Sequence, residues 1–247
     1  MPAEPSASGR EHPRIRRVLS SRRGGVSSAP YDSFNLGSRV GDDPDSVASN
    51  RSRLAAQLQV QSADLVFMEQ VHGKSVAVID RRYEADVSMA DAMVTTTAGL
   101  VLVALAADCA PVILWEEQAV VAAAMHSGRP GTRLNIAADT VRTMIDLGAR
   151  AERINALIGP AICGACYEVP AAMRADVEQH APGSGCTTSA GTPGLDIRAG
   201  IVGQLRRAGL SAIAVDSRCT AQEPDLFSHR RDNGRTGRQG VMVWIEK

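Results

Sequence analysis

Apolar residues along this chain occur mostly in short, nearly continuous runs. That pattern is typical of strands that are covered on both faces. Residues between the runs are polar or rich in glycine, as expected for turns at strand ends. The runs predict strands over residues 15–19, 65–68, 75–79, 92–96, 100–106, 112–115, 119–125, 154–158, 213–215 and 241–245.

Four segments place their apolar residues at helical spacing instead. They predict helices over residues 44–59, 132–147, 170–180 and 197–208. Asp43 and Pro44 form a good helix start, because aspartate caps free backbone N–H groups and proline is tolerated in the first turn. Gly148 follows the second helix and is its expected C-terminal cap. Many strands with about four helices indicate the α+β class.

The domain organisation follows from the distribution of these elements. Residues 1–12 are rich in Pro, Ser and Glu and are expected to form a disordered N-terminal tail. Residues 13–247 are expected to form one domain, since no stretch within them reads as a linker between domains. The Gly/Ser/Thr-rich segment 182–193 is expected to be a loop.

Composition excludes several classes of protein. Lys+Arg and Asp+Glu are 27 each, so the net charge is zero, and only 3% of residues are aromatic. Neither value suits a nucleic-acid-binding protein. Five cysteines do not form a paired disulfide framework, and no signal peptide is apparent. The apolar stretch 98–115 contains Asp108 and Pro111, which argue against a membrane span. We therefore expect a cytoplasmic protein without a membrane or nucleic-acid partner.

Three candidate metal ligands lie where apolar strands meet polar, glycine-containing turns. They are His72, Cys109 and His126. Two imidazoles and one thiolate suit zinc, and three protein ligands leave a fourth position for water or substrate. Their spacing matches no compact metal motif, so buried Cys and His in an ordinary core are an alternative. Gln70 and Asp108 are candidates to orient these ligands.

Two further groups carry possible chemistry. Cys163 and Cys166 form a Cys-x-x-Cys pair, which is compatible with a redox pair, half a metal site or, as we favour, a structural loop. Near the C-terminus, His229, Arg230 and Arg238 could bind an anion such as phosphate. The alternative is a solvated basic loop that balances nearby carboxylates.

Many short motifs along the chain occur in the order of one known family. The chain resembles the laccase-domain, or multicopper polyphenol oxidoreductase, family, whose members are regarded as zinc-dependent purine nucleoside phosphorylases with adenosine deaminase activity. The matching motifs include Gln70-Val71-His72-Gly73, Ala90-Asp91-Ala92, Ala107-Asp108-Cys109-Ala110-Pro111, His126-Ser127-Gly128, Ile158-Gly159-Pro160, Cys166-Tyr167-Glu168-Val169, Cys219-Thr220 and Phe227-Ser228-His229-Arg230-Arg231.

The resemblance implies a fold, a site and substrates. The fold would be a single α+β domain of mixed β-sheets flanked by helices, and we expect a monomer. His72, Cys109 and His126 would be the zinc ligands and the catalytic centre. Purine nucleosides (adenosine, inosine, guanosine and methylthioadenosine) would be cleaved with phosphate, and adenosine would be deaminated by water. Candidate substrate contacts are Asn35, Gln70, Arg129, His229 and Arg230. Many relatives have Trp-Arg-Gly where this chain has Arg129-Pro130-Gly131.

Other functions remain open from the sequence. A copper-dependent polyphenol oxidase would need many histidines, and this chain has five. Copper could nevertheless occupy the zinc site. A metal-independent hydrolase with Cys109 as nucleophile and His126 as base would suit the editing of peptidoglycan precursors. A non-catalytic binding protein is the third alternative.

Overall fold

The computed structural model describes residues 14–247, and the apolar runs within them form strands, of which the central ones are buried on both faces. The strands are β1 (Ile15–Leu19), β2 (Leu65–Val66), β3 (Val76–Val78), β4 (Ala92–Thr95), β5 (Val101–Ala106), β6 (Ala110–Glu116), β7 (Val121–Ser127), β8 (Asn155–Ile158), β9 (Gly185–Thr187), β10 (Pro193–Leu195), β11 (Ala212–Val215) and β12 (Gln239–Ile245). The α-helices are α1 (Pro44–Leu58), α2 (Arg129–Leu134), α3 (Ile136–Asp146), α4 (Ala171–His180) and α5 (Ile197–Arg207).

Two mixed sheets form the centre of the molecule. The larger sheet has the order β11-β8-β6-β7-β4-β3, with parallel pairs at both edges and antiparallel pairs between them. The smaller sheet has the order β1-β12-β5-β2, in which only β2 and β5 are parallel. The expected α+β fold with mixed sheets flanked by helices is therefore confirmed.

The sheets pack face to face, which explains why the strands are apolar on both sides. In β7, Ala122 and Ala124 face the smaller sheet, whereas Val121, Ala123 and Met125 share a core with α3 and α5. Helix α1 covers the outer face of the smaller sheet through residues including Leu54 and Ala55. Function-bearing groups must therefore emerge at strand ends, because the middle of each strand is enclosed.

The single helix expected over 132–147 is wrong. The structure has two helices, α2 and α3, separated by Asn135, which adopts a left-handed conformation with φ of 60°. Asparagine tolerates this conformation, and its side chain accepts a hydrogen bond from the backbone N–H of Ala138. The break lets α2 begin at Arg129, directly after β7, and this places Arg129 beside the end of that strand.

The loop expected over 182–193 is also partly wrong. Residues Gly185–Thr187 form β9, which pairs with β10 in a small antiparallel hairpin. Its strands are only three residues long and each contains glycine, so no apolar alternation marked them in the sequence. The helix expected at Asp43 and Pro44 is confirmed, with the Asp43 side chain accepting from Ser46 N at 3.0 Å.

Two expectations about the chain's context have different outcomes. The disordered tail expected over 1–12 lies outside the described residues. Within residues 14–247, none of the helices is both long and apolar enough to cross a membrane. The stretch expected to break into two strands does so around Asp108, since it forms β5 and β6 in different sheets, but Pro111 lies within β6 rather than at the break.

Candidate active site

The three candidate metal ligands come together where the chain passes from the smaller sheet to the larger one. Cys109 lies in the turn between β5, in the smaller sheet, and β6, in the larger one. His126 lies in β7 opposite Pro111 of β6, so strand pairing brings it beside Cys109. His72 reaches the same place from the turn after β2, with a left-handed φ of 59°.

The ligand atoms of the triad are close enough to bind one ion. The imidazole and thiol atoms of His72, Cys109 and His126 all lie within 4.8 Å of one another. The His72 Nε2 and Cys109 Sγ atoms are 3.7 Å apart. The two imidazole rings have centroids 4.9 Å apart and meet edge to face at 83°. His72 is exposed, and the site is therefore accessible from its side.

Asp91 organises the triad from beneath. This fully buried carboxylate lies 2.9 Å from Nδ1 of His126, and it also accepts backbone N–H bonds from His72 at 3.0 Å and Gly73 at 2.7 Å. One carboxylate thus fixes the His126 ring and the turn that carries His72. The Asp91 contact occupies Nδ1 of His126 and leaves Nε2 available for a ligand.

Cys109 and His126 strongly perturb each other's titration. Burial disfavours the thiolate, but the charge and hydrogen bonding of His126 outweigh it, and the pKa of Cys109 falls to about 6. Burial also disfavours the imidazolium, but the Cys109 charge and the Asp91 hydrogen bond raise the pKa of His126 to about 9. In the metal-free site the pair is therefore thiolate and imidazolium near neutral pH. A reactive thiolate is the form that binds metals.

A cavity of about 460 Å³ opens above the triad. This volume is in the range of small-molecule sites. Most of the candidate substrate contacts reach it. The lining residues include His72, Cys109, His126, Gln70, Arg129, His229 and Arg230, together with Arg39, Met68, Leu105, Ile162, Tyr167 and Arg238.

Two of the predicted substrate contacts form hydrogen bonds within the protein instead. Gln70 lines the cavity, but its amide exchanges two hydrogen bonds with the backbone of Leu105, at 2.7 and 2.8 Å. Asn35 is fully buried and does not line the cavity. Its side chain bonds Asp42 at 2.8 Å and the backbone N–H of Arg238 at 2.9 Å. Gln70 and Asn35 are therefore placed to position the cavity wall.

Asp108 holds the C-terminal loop against the site rather than orienting a metal ligand. With a left-handed φ of 91°, its carboxylate accepts from Thr220 at 2.6 Å, Ser228 at 2.7 Å and the backbone N–H of Arg230 at 2.6 Å. These bonds bring His229 and Arg230 to the cavity. The ligand-orienting role expected for Asp108 belongs to Asp91.

Sequence reasoning missed Asp91 and Tyr167 as site residues. Asp91 precedes the buried strand β4. A single carboxylate at the start of an apolar run was the one signal in the sequence that could have identified it. Tyr167 follows Cys166, lines the cavity and lies under Arg230, whose guanidinium carbon is 5.1 Å from the ring centroid. No pattern in the sequence marked this stacking.

One known family matches nearly the whole chain. A family model described as multi-copper polyphenol oxidoreductase laccase matches residues 16–246. The chain belongs to this laccase family. The family resemblance inferred from the motifs is therefore confirmed.

Relatives with known names or structures are similar to nearly the whole chain. A Corynebacterium glutamicum protein named purine nucleoside phosphorylase is 51% identical, with 94% of this chain and 95% of the relative covered. One of the same name from Mycobacterium tuberculosis is 49% identical, over 94% of this chain and 93% of the relative. The crystal structure of YlmD from Geobacillus stearothermophilus matches with a TM-score of 0.89 and 32% identity, over 94% and 92% of the two chains.

The donor set of this laccase-family member fits one zinc ion. Two imidazoles and a thiol with a lowered pKa are ligands that zinc favours. The Asp91 contact with His126 is the carboxylate–histidine arrangement common around zinc. Within residues 14–247, no potential metal cluster contains more than two histidines. The described residues therefore do not provide a multicopper centre built on many imidazoles.

Replacing Asp91 with asparagine is expected to weaken metal binding. In one orientation the amide NH₂ group would face the backbone N–H groups of Val71 and Gly73. In the other it would face the N–H of His72 and Nδ1 of His126. In both orientations the negative charge beside His126 is lost. We expect zinc affinity to fall about 10–100-fold, the usual cost of losing such a partner. Competition with a chromogenic chelator measures this affinity.

Asp64→Asn is a matched control for this substitution. Asp64 is also a buried carboxylate, but its partners are Arg82 and the backbone of Gln61. Both variants should lose some stability, whereas only Asp91→Asn should lose zinc affinity. Equal zinc affinity in Asp91→Asn and the wild-type protein would contradict the role given to Asp91.

Proposed function

We propose that this laccase-family protein is a purine nucleoside phosphorylase that uses the His72–Cys109–His126 centre, with adenosine deamination as a second activity. The observation that carries the proposal is a nucleoside-sized cavity that is lined by the triad and by several arginines. The names of its relatives support the same reaction class. Expected substrates are adenosine, inosine, guanosine and methylthioadenosine.

Arginines supply the expected phosphate site. Arg129, Arg230 and Arg238 line the cavity, and none of them forms an ion pair within the described part of the chain. By contrast, Arg39 at the same cavity pairs with Glu69. Guanidinium groups without a carboxylate partner suit a doubly charged phosphate, which accepts paired N–H bonds. We place the phosphate among these three arginines and His229.

The nucleoside would occupy the apolar part of the cavity. Met68, Leu105 and Ile162 provide aliphatic surface, and Tyr167 provides a ring. In phosphorolysis the bond between the base nitrogen and C1′ breaks, and a phosphate oxygen forms the new bond to C1′. The base leaves with its electron pair and gains a proton. The arginines hold the attacking phosphate, which is where positioning lowers the barrier.

The triad would hold the metal close to the base. Zinc bound there would supply Lewis-acid chemistry and would lower the pKa of a water molecule, which suits the deamination of adenosine. In that reaction water adds at C6 and ammonia leaves. Copper, with its affinity for imidazole and thiolate, is the alternative occupant and would support phenol oxidation. We also propose that the chain acts as a cytoplasmic monomer.

Chromatography of adenosine after incubation with zinc-loaded protein tests the proposal. With phosphate we expect adenine and ribose 1-phosphate, and without phosphate we expect neither product. Inosine in both samples would show the deaminase. Adenosine recovered unchanged from both samples would contradict both activities. Protein without added zinc and a sample without protein are the controls.

A further inference from the structure

A second cluster of metal-binding side chains lies beside the candidate active site. The sulfur atoms of Cys163, Cys166 and Cys219 all lie within 4.8 Å of one another. All three are free thiols; Cys219 is buried and the other two are half-buried. The proposed reaction uses none of them. The cluster also differs from the triad in its donors, since it consists of sulfur alone.

Local backbone structure presets the three sulfurs. Cys163 and Cys166 share a tight turn, in which the Cys163 carbonyl accepts from the N–H groups of Cys166 and Tyr167 at 3.0 Å each. Such a Cys-x-x-Cys turn supplies two ligands in many zinc sites. Cys219 arrives on a second segment, which pairs with Ala161 through a parallel β-bridge. The cluster is therefore assembled by two segments that are already hydrogen-bonded together.

The spacing suits a thiolate-bound ion. Zinc–sulfur bonds of about 2.3 Å place tetrahedral sulfur ligands about 3.8 Å apart. Sulfurs already within 4.8 Å of one another would need shifts of about an ångström or less. Thiolate ligands select soft ions such as zinc. We propose that Cys163, Cys166 and Cys219 form a second metal site, which binds one zinc ion through three thiolates.

A direct contact also holds Cys219 beside the Cys-x-x-Cys turn. The backbone N–H of Cys163 donates to the Cys219 sulfur at 3.3 Å. The third sulfur is therefore fixed next to the other two by the chain itself.

The location suggests what this ion would do. Ile162 and Tyr167, next to Cys163 and Cys166, line the active-site cavity. Thr220, next to Cys219, donates to Asp108 at 2.6 Å. An ion at the cluster would therefore tie together two segments of the cavity wall. Its role is structural, and the proposal does not depend on the reaction assigned to the cavity.

Cobalt titration of the Cys109→Ala protein tests the second site. This variant lacks the only thiol of the triad, so any cobalt–thiolate absorption must come from other cysteines. We expect one equivalent of Co²⁺ to bind with intense thiolate charge-transfer bands, and one equivalent of Zn²⁺ to displace it. Adding Cys219→Ser should abolish the bands. Cys186→Ser is the matched control and should leave them unchanged.

Further measurements decide among the possible results. If Cys219→Ser fails to fold by circular dichroism, Cys166→Ser in the half-exposed turn replaces it. Absence of the bands in folded Cys109→Ala protein with all four remaining thiols free would overturn the proposal. A thiol titration that finds two fewer free thiols than expected would also overturn the proposal, because it would show that two of the cysteines form a disulfide. Bands that persist in Cys219→Ser or disappear in Cys186→Ser would also contradict the site.

Discussion

Replacing Cys109 with alanine is expected to abolish nucleoside turnover and to remove metal from the triad. Cys109 is the only sulfur ligand in the cluster with His72 and His126. Replacing a residue that only hydrogen-bonds to a metal ligand usually costs roughly 10–100-fold in activity. We expect the loss of the ligand itself to reduce activity by more than this. Initial rates with adenosine and phosphate measure the activity, and metal analysis measures occupancy.

The fold should survive this substitution. Cys109 is a small, half-buried residue in a turn, and neighbouring strands β6 and β7 are held by their own ladder. Thermal unfolding therefore serves as the control, with Cys186→Ser as a cysteine variant outside the triad. A folded Cys109→Ala protein with wild-type turnover would contradict the proposed centre.

Metal removal separates the zinc enzyme from a thiol hydrolase. The thiolate–imidazolium pair of Cys109 and His126 is also what a cysteine nucleophile and its base require. Both mechanisms lose activity when Cys109 is replaced, so that variant alone does not distinguish them. Wild-type protein stripped by a chelator should be inactive and should recover on adding zinc. Full activity after stripping would favour the hydrolase.

The sequence was most informative where both faces of a strand are buried. Runs such as those of β5, β6 and β7 are apolar throughout, and polar residues at their ends therefore stood out. This contrast identified Cys109 and His126, and the structure brings them together with His72. The motifs then identified the family. Strand ends are informative because the enclosed interior leaves little freedom in where polar groups can lie.

The remainder depends on local backbone conformation or on contacts between distant segments. Asn135 lies inside a continuous helical pattern, so the break between α2 and α3 follows from its backbone conformation rather than from periodicity. Asp91 acquires its role only when β4 and β7 pair and bring it to His126. Cys219 likewise joins Cys163 and Cys166 through a single β-bridge. Spacing along the chain does not encode such meetings.

A methyl group added at Gly128 is expected to disable the triad without touching a ligand. Gly128 precedes α2, and a Cβ atom at this position would lie 2.6 Å from the Cys109 sulfur and 3.0 Å from Cδ2 of His72. The backbone φ of −85° is ordinary, so the effect comes from this contact rather than from strain. Cys109 and His72 must move apart, which disrupts the positions needed for one ion.

Gly131→Ala, within helix α2, is the matched control. Its Cβ atom would lie 3.4 Å from the Ser127 hydroxyl and 3.5 Å from Ile136, which is near ordinary van der Waals contact. We expect Gly128→Ala to lose at least about 100-fold in zinc affinity and turnover. This loss is larger than the usual cost of removing a residue that hydrogen-bonds to a metal ligand. Gly131→Ala should retain both within a few-fold. Chelator competition and unfolding midpoints for the two variants measure this. The Cys109 sulfur cannot keep its present position beside the new methyl group. Wild-type zinc affinity in folded Gly128→Ala would therefore show that zinc does not bind to the triad in this arrangement.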